Sequence, residues 1–143
     1  MTIQVGDKIP SVTLQQMQQN GVSDITSEEL FDGKKVVVFG LPGAFTPTCS
    51  ASHLPGYVVK SDEFFAKGID SIICISVNDA FVMGAWGEQH NVEDRVMMIA
   101  DGSANFARAV GLDLDLTARG MGVRSQRYAM VINNGIVETL NIE

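Results

Sequence analysis

Residues 128–140 read Tyr128-Ala-Met-Val-Ile132, Asn133-Asn-Gly135 and Ile136-Val-Glu-Thr-Leu140. The first and last of these runs are short, mostly apolar and rich in β-branched residues, which favours strands. Between them, Asn134-Gly135 can supply the positive φ values that a type I′ turn requires. The stretch therefore predicts an antiparallel β-hairpin at this end of the chain.

Earlier in the chain, apolar runs alternate with helical patterns. Three runs have the β-branched composition of strands that are covered on both faces: Val36–Phe39, Ile69–Val77 and Val96–Ala100. Helices are predicted at about residues 46–67, 79–89 and 103–110, and Gly68 and Gly111 close the first and the third. The alternation predicts parallel strands that are joined by helices.

The N-terminal part adds a strand and a short helix. Ser11–Leu14 alternates like a strand, and Thr26-Ser-Glu-Glu29 is a capping box for a helix that Gly33 ends. Together the elements predict an α/β protein with a central mixed sheet, flanking helices and a C-terminal β-hairpin. This is a thioredoxin-like fold, although the same elements permit a flavodoxin-like one. With 143 residues and 45% hydrophobic content, we expect one domain over residues 1–143.

Composition restricts the function classes. A net charge of −7 argues against non-specific binding to nucleic acid or to an anionic membrane surface. We find no run of eighteen apolar residues and no signal-peptide layout at the N-terminus, so we expect a cytoplasmic protein. Two cysteines and seven methionines suit a reducing compartment rather than a disulfide scaffold.

One of the two cysteines, Cys49, lies where a thiolate is favoured. Thr46 is a good N-cap, Pro47 suits the first helical position, and Cys49 then occupies the third. Unpaired N–H groups and the helix dipole at that position lower the pKa of a thiol and make it a reactive nucleophile. The alternative is a buried cysteine that acts as a small hydrophobic residue. Further along this helix, Pro55-Gly56 predicts a kink or a break.

Pro42, Thr46 and Cys49 form the pattern P-x-x-x-T-x-x-C after an apolar strand, and here the chain resembles the peroxiredoxins, type II in particular. Further matching stretches run in order along the chain: His53–Gly56, Ser76–Asp79, Phe81–Met83, Ala85-Trp86, Ala100–Gly102, Arg127-Tyr128 and Gly135. The resemblance implies a thiol peroxidase that reduces hydrogen peroxide and small alkyl hydroperoxides. It also implies that Cys49 is the peroxidatic residue and passes through a sulfenic acid.

Two residues before Cys49 are expected to shape its surroundings. The Thr46 hydroxyl can donate to the thiolate or to peroxide while it accepts from a backbone N–H, or it serves as a helix cap alone. Pro42 has no N–H and can shield the sulfur from water, or it is an ordinary turn proline that ends a strand.

An arginine should complete the site, because its charge is permanent and its donors can hold the thiolate and the developing oxyanion. The resemblance places this role at Arg127, directly before the strand that begins at Tyr128. Arg124, three residues earlier, is at least as well explained as a surface charge. His53 lies four residues after Cys49 and could bias the thiolate, but a structural or capping role is favoured.

Cys74 lies within a predicted central strand, where a buried inert thiol is the default interpretation. The chain also stops at Glu143, where many relatives continue into a further helix, so the family's last helix is expected to be absent. We therefore expect an external thiol reductant, either glutaredoxin with glutathione or thioredoxin. We predict no metal, since Cys49, Cys74, His53 and His90 lack zinc spacing, and no cofactor.

Other classes of function remain open at this point. A disulfide reductase normally uses a Cys-x-x-Cys pair, but position 46 is threonine. A redox-sensing or chaperone-like interaction protein could use the same Cys49. Phe45, Phe81 and Trp86 supply aromatic rings near the site, which suggests a homodimer or, alternatively, core packing.

Overall fold

The computed structural model describes residues 2–47 and 53–143 of the chain. Within them, strands β1 to β9 span Thr13–Gln18, Gly21–Thr26, Lys35–Leu41, Ser71–Ser76, Met97–Ala100, Asp113–Leu116, Gly122–Ser125, Tyr128–Asn133 and Ile136–Ile142. Helices α1 to α4 span Ser27–Phe31, Leu54–Ala66, Ala80–Gln89 and Asn105–Ala109. A 3₁₀ turn at Thr117–Arg119 connects β6 to β7.

The main sheet has the strand order β2-β1-β5-β4-β3-β8-β9. Strands β3, β4 and β5 are parallel, and every other pairing in this sheet is antiparallel. This mixed sheet confirms the predicted thioredoxin-like architecture. It also removes the flavodoxin-like alternative, because β8 runs antiparallel directly beside β3, where a doubly wound fold would have a parallel neighbour.

The predicted C-terminal hairpin is present as β8 and β9. Its turn residues Asn134 and Gly135 have φ values of 50° and 80°, as a type I′ turn requires. On the other side of β8, Gly40 of β3 lies opposite Tyr128. The amino end of β8 is thereby placed beside the carboxyl end of β3.

Hydrophobic residues pack on both faces of the main sheet. Successive residues of β3 alternate between the faces: Val36 and Val38 belong to one buried cluster, whereas Val37 and Phe39 belong to the other. The first cluster includes Phe31 and Phe106, and the second includes Trp86 and Leu54. Burial on both faces explains why this strand is a continuous apolar run.

Several predicted boundaries differ from the structure. The helix predicted at residues 46–67 is described as α2 from Leu54 onward, and Pro55 lies in its first turn. The kink or break expected at Pro55-Gly56 stays a prediction, because residues 48–52 just before α2 lie outside the described part of the chain. The helical position predicted for Cys49 lies outside the described residues. None of the helices in residues 2–47 and 53–143 combines the length and apolar character needed to cross a membrane.

Candidate active site

The loop after β3 is fixed by one side chain from the loop after β4 and one from β7. The Ala44 N–H donates to the side-chain oxygen Oδ1 of Asn78 at 2.9 Å, and the Pro42 carbonyl accepts from Nη1 of Arg124 at 3.3 Å. Asn78 follows β4, which is parallel to β3, so both loops emerge at the same edge of the sheet. Pro42 itself is half-buried.

Thr46 lies in this loop and is half-buried. Its hydroxyl donates to the carbonyl oxygen of Gly43 at 2.7 Å, and its N–H points at the same oxygen at 3.4 Å. The hydroxyl proton is thus engaged within the loop, while the oxygen lone pairs are left for acceptance. A peroxide O–H can donate to these lone pairs while the hydroxyl stays bonded to Gly43.

Arg127 contacts the start of α2 through His53. Its Nη1 lies 2.9 Å from Nδ1 of His53, and its Nε forms an ion pair with Glu143 at 3.4 Å. Since a guanidinium only donates, Nδ1 of His53 must accept, which places the imidazole proton on Nε2. Burial, followed by the charge of Arg127, lowers the pKa of His53, and Glu143 opposes this shift. The histidine is therefore kept neutral.

This contact defines the role of His53. Of the structural and capping roles expected for it, the structure agrees with the structural one, since its side chain makes no capping hydrogen bond to α2. It orients Arg127 and packs on aromatic rings, with its centroid 5.3 Å from Phe39 and 5.8 Å from Tyr57. Tyr57 stacks face to face on Phe39 at 3.9 Å.

A cavity of about 290 Å³ adjoins these rings and is lined by His53, Gly56, Tyr57, Lys60 and Phe64. Burial raises the pKa of Tyr57, so its phenol stays neutral at physiological pH. A larger recess, of about 690 Å³, lies between β1, α3 and the start of β5, and shares no lining residue with the predicted site.

Arg124 is not the surface charge that the sequence favours. Its Nε donates to the Met121 carbonyl at 2.9 Å, and its Nη1 lies 3.3 Å from the carbonyl oxygens of both Pro42 and Val77. A Cβ at Gly43 would lie 2.8 Å from the same Nη1. The glycine therefore leaves space for the arginine, a relation that no local sequence pattern signals.

Cys74 has 0% exposure in β4, where its register neighbours are Phe39 and Met98. This burial agrees with the predicted structural thiol, and a role in resolution stays untested. Cys49 lies in residues 48–52, outside the described part of the chain.

The three aromatic residues considered for a dimer differ in exposure. Phe45 and Phe81 are 47% and 68% exposed, whereas Trp86 is fully buried. The ring of Phe45 lies 6.3 Å from that of Trp86, and its backbone has a φ of 64°. Core packing therefore explains Trp86 but not the two phenylalanines.

Comparison with known proteins gives the family. The Redoxin family model matches residues 4–143. Peroxiredoxin-2D of Arabidopsis thaliana is 46% identical over 99% of this chain and 88% of its own length. Chloroplastic peroxiredoxin-2E of the same plant is 48% identical, and here the chain spans 62% of the relative's length. Reduced Prx3 of Vibrio vulnificus, solved in complex with hydrogen peroxide, has a TM-score of 0.95 and 54% identity over 99% of this chain and 89% of that one. The chain belongs to the redoxin family and, within it, to the type II peroxiredoxins.

Proposed function

We propose that the protein is a thiol peroxidase that reduces hydrogen peroxide and small alkyl hydroperoxides, with Cys49 as its nucleophile. The observation that carries the proposal is the guanidinium of Arg127, which is held 2.9 Å from His53, four residues beyond Cys49. A permanent cation beside the start of α2 favours a thiolate and a developing oxyanion nearby. Membership of the peroxiredoxins supports the same assignment.

In the proposed reaction, the Cys49 thiolate attacks the terminal peroxide oxygen. A sulfur–oxygen bond forms as the oxygen–oxygen bond breaks, the sulfur is oxidised to a sulfenic acid, and the departing alkoxide or hydroxide takes up a proton as alcohol or water. Arg127 stabilises the departing oxygen, Thr46 orients the peroxide, and Pro42 excludes water from the sulfur.

An external thiol is proposed to return the sulfenic acid to the thiol, either glutathione with glutaredoxin or thioredoxin. The full burial of Cys74 within β4 supports this, because a buried strand residue reaches another thiol only if the surrounding structure opens. Reduction then consumes two thiols and forms one disulfide with release of water.

We also propose a homodimer in which the exposed rings of Phe45 and Phe81 meet a second copy. Exposed aromatic rings are enriched at interfaces between proteins. The cysteine and methionine content supports a reducing location, for which the cytoplasm is our proposal.

The test is peroxide consumption with each reductant by the wild-type protein and by Cys49→Ser and Cys74→Ala. Loss of turnover in the first variant alone is expected. Retained turnover in Cys49→Ser would remove the proposal. Stoichiometric oxidation of Cys49 without turnover in any reductant would instead favour a redox-sensing or chaperone-like interaction protein.

A further inference from the structure

Gly43 is flanked by two peptide groups that are each held by a side chain from elsewhere in the chain. The peptide before it carries the Pro42 carbonyl, which accepts from Arg124. The peptide after it carries the Ala44 N–H, which donates to Asn78. Arg124 therefore binds the carbonyl of the first peptide, and Asn78 binds the N–H of the second.

The second of these planes also controls Thr46. The Ala44 N–H and the Gly43 carbonyl belong to one rigid peptide group, so fixing the N–H at 2.9 Å from Asn78 also fixes the carbonyl. That carbonyl accepts the Thr46 hydroxyl at 2.7 Å. The direction of the hydroxyl is thereby set through Asn78.

Both side chains are themselves held. Asn78 Oδ1 also accepts from the hydroxyl of Ser76 at 2.6 Å, and Ser76 is fully buried. Arg124 donates to the carbonyls of Met121 and Val77 in addition to that of Pro42, so its guanidinium joins three loops. Its bond to Met121 has the usual length of 2.9 Å, and the charge of the guanidinium strengthens the two longer contacts.

We propose that Arg124 and Asn78 are positioning residues that orient the peptides on either side of Gly43 and, through them, the hydroxyl of Thr46. The inference rests on the proposed peroxidase function and extends it to two residues outside the predicted site. Neither residue need touch peroxide, since each acts through the backbone of the loop. The reaction of Cys49 with peroxide needs an oriented Thr46 hydroxyl, whereas alkylation of its thiolate does not. Loss of either residue should therefore slow the peroxide reaction more than alkylation.

The first experiment compares two reactions of Cys49 in the same reduced protein. Reaction with hydrogen peroxide is measured by competition against a reference peroxidase, and alkylation by iodoacetamide is measured by mass spectrometry. In Arg124→Ala we expect the peroxide rate constant to fall at least about tenfold while the alkylation rate changes by less than about twofold. An equal fall in both rates, or no fall in either, would overturn the proposal.

Two further variants show whether the effect of Arg124→Ala comes from the position of the guanidinium or from the loss of a positive charge. Gly43→Ala keeps Arg124 but places a Cβ 2.8 Å from its Nη1 and 3.3 Å from Cγ2 of Thr46, so the guanidinium must shift relative to the Pro42 carbonyl and the contact with Thr46 becomes tighter. It should reproduce the effect of Arg124→Ala. Arg119→Ala is the matched control, because it removes an exposed arginine from the neighbouring 3₁₀ turn. Both of its rates should equal those of the wild type.

Amide hydrogen exchange tests the hydrogen bond from the Ala44 N–H to Asn78 independently of any peroxidase activity. Asn78→Ala should speed exchange of the Ala44 amide by about tenfold or more, and Asn78→Asp, which retains an acceptor oxygen, should restore protection. Unchanged exchange of the Ala44 amide in Asn78→Ala would show that Asn78 does not hold the loop. If the wild-type protein fails to consume peroxide, the proposed function is wrong, and this exchange measurement still decides whether Asn78 holds the loop.

Discussion

Gly40→Ala should destabilise the protein strongly, because Tyr128 occupies the space where the new methyl group would lie. A Cβ at residue 40 would overlap Cε2 and Cζ of that ring, far inside the 3.4 Å at which ordinary contact begins. The ring is 3% exposed and packed in the core, so it cannot retreat into solvent. Overpacking of a core costs about 1–3 kcal/mol, and a clash this short belongs at the upper end, about 3 kcal/mol.

The measurement is urea and thermal unfolding followed by circular dichroism. For a chain of this length, about 3 kcal/mol corresponds to a decrease in Tm of roughly 10 °C. Gly56→Ala in α2 is the control, since its Cβ would meet nothing within 4 Å. That variant should gain about 0.5–1 kcal/mol from helix propensity. A Gly40→Ala protein within about 1 kcal/mol of the wild type would refute the reasoning.

Three other changes have defined outcomes. Because the pKa of His53 is lowered, the contribution of its neutral form to stability should be lost as the pH falls below about 6.5. An NMR titration should show the neutral Nε2–H form with a midpoint below that value. A higher midpoint would contradict the Arg127 contact. Burial raises the pKa of Asp101, so the contribution of its protonated form to the free energy of unfolding is lost as the pH rises through that pKa. Asp101→Asn should therefore make the urea midpoint depend less on pH. An unchanged dependence would contradict the raised pKa. Cys74→Ala should keep peroxide turnover with glutathione and glutaredoxin in a coupled assay, whereas loss of turnover with sulfenic acid still forming would make Cys74 the resolving thiol.

The elements with strong local signals are those that the sequence predicts well. The Asn134-Gly135 turn, the capping box at Thr26 and the helix predicted at residues 79–89 depend on residues close together in the chain, and each is present in the structure. Strand β2 and the β6–β7 pair are absent from the sequence predictions. Their residues are largely polar or include glycine, so the strands form through pairing with neighbours rather than through their own pattern.

The contacts around the candidate site could not be predicted in the same way. Arg127 meets His53 across 74 residues, and Arg124 meets Pro42 across 82. A motif locates the residue types, but only the sheet order shows which side chains meet. For this reason the sequence identified Arg127 through a family pattern, while it gave Arg124 no role and did not show that the structural role of His53 includes a contact with Arg127.

The direction of β8 decides whether a site of this kind can form. Because β8 is antiparallel to β3, its first residue Tyr128 lies opposite Gly40, and Arg127 reaches the edge where the Pro42 loop begins. If β8 ran parallel to β3, its amino end would lie at the other end of a seven-residue strand, about 20 Å away. The helix dipole expected to favour a Cys49 thiolate depends only on residues near Cys49 in the chain. The position of the Arg127 guanidinium, in contrast, depends on the direction of β8 in the sheet. A chain with the same P-x-x-x-T-x-x-C segment and a fully parallel sheet should therefore need a cation from another element to favour a thiolate.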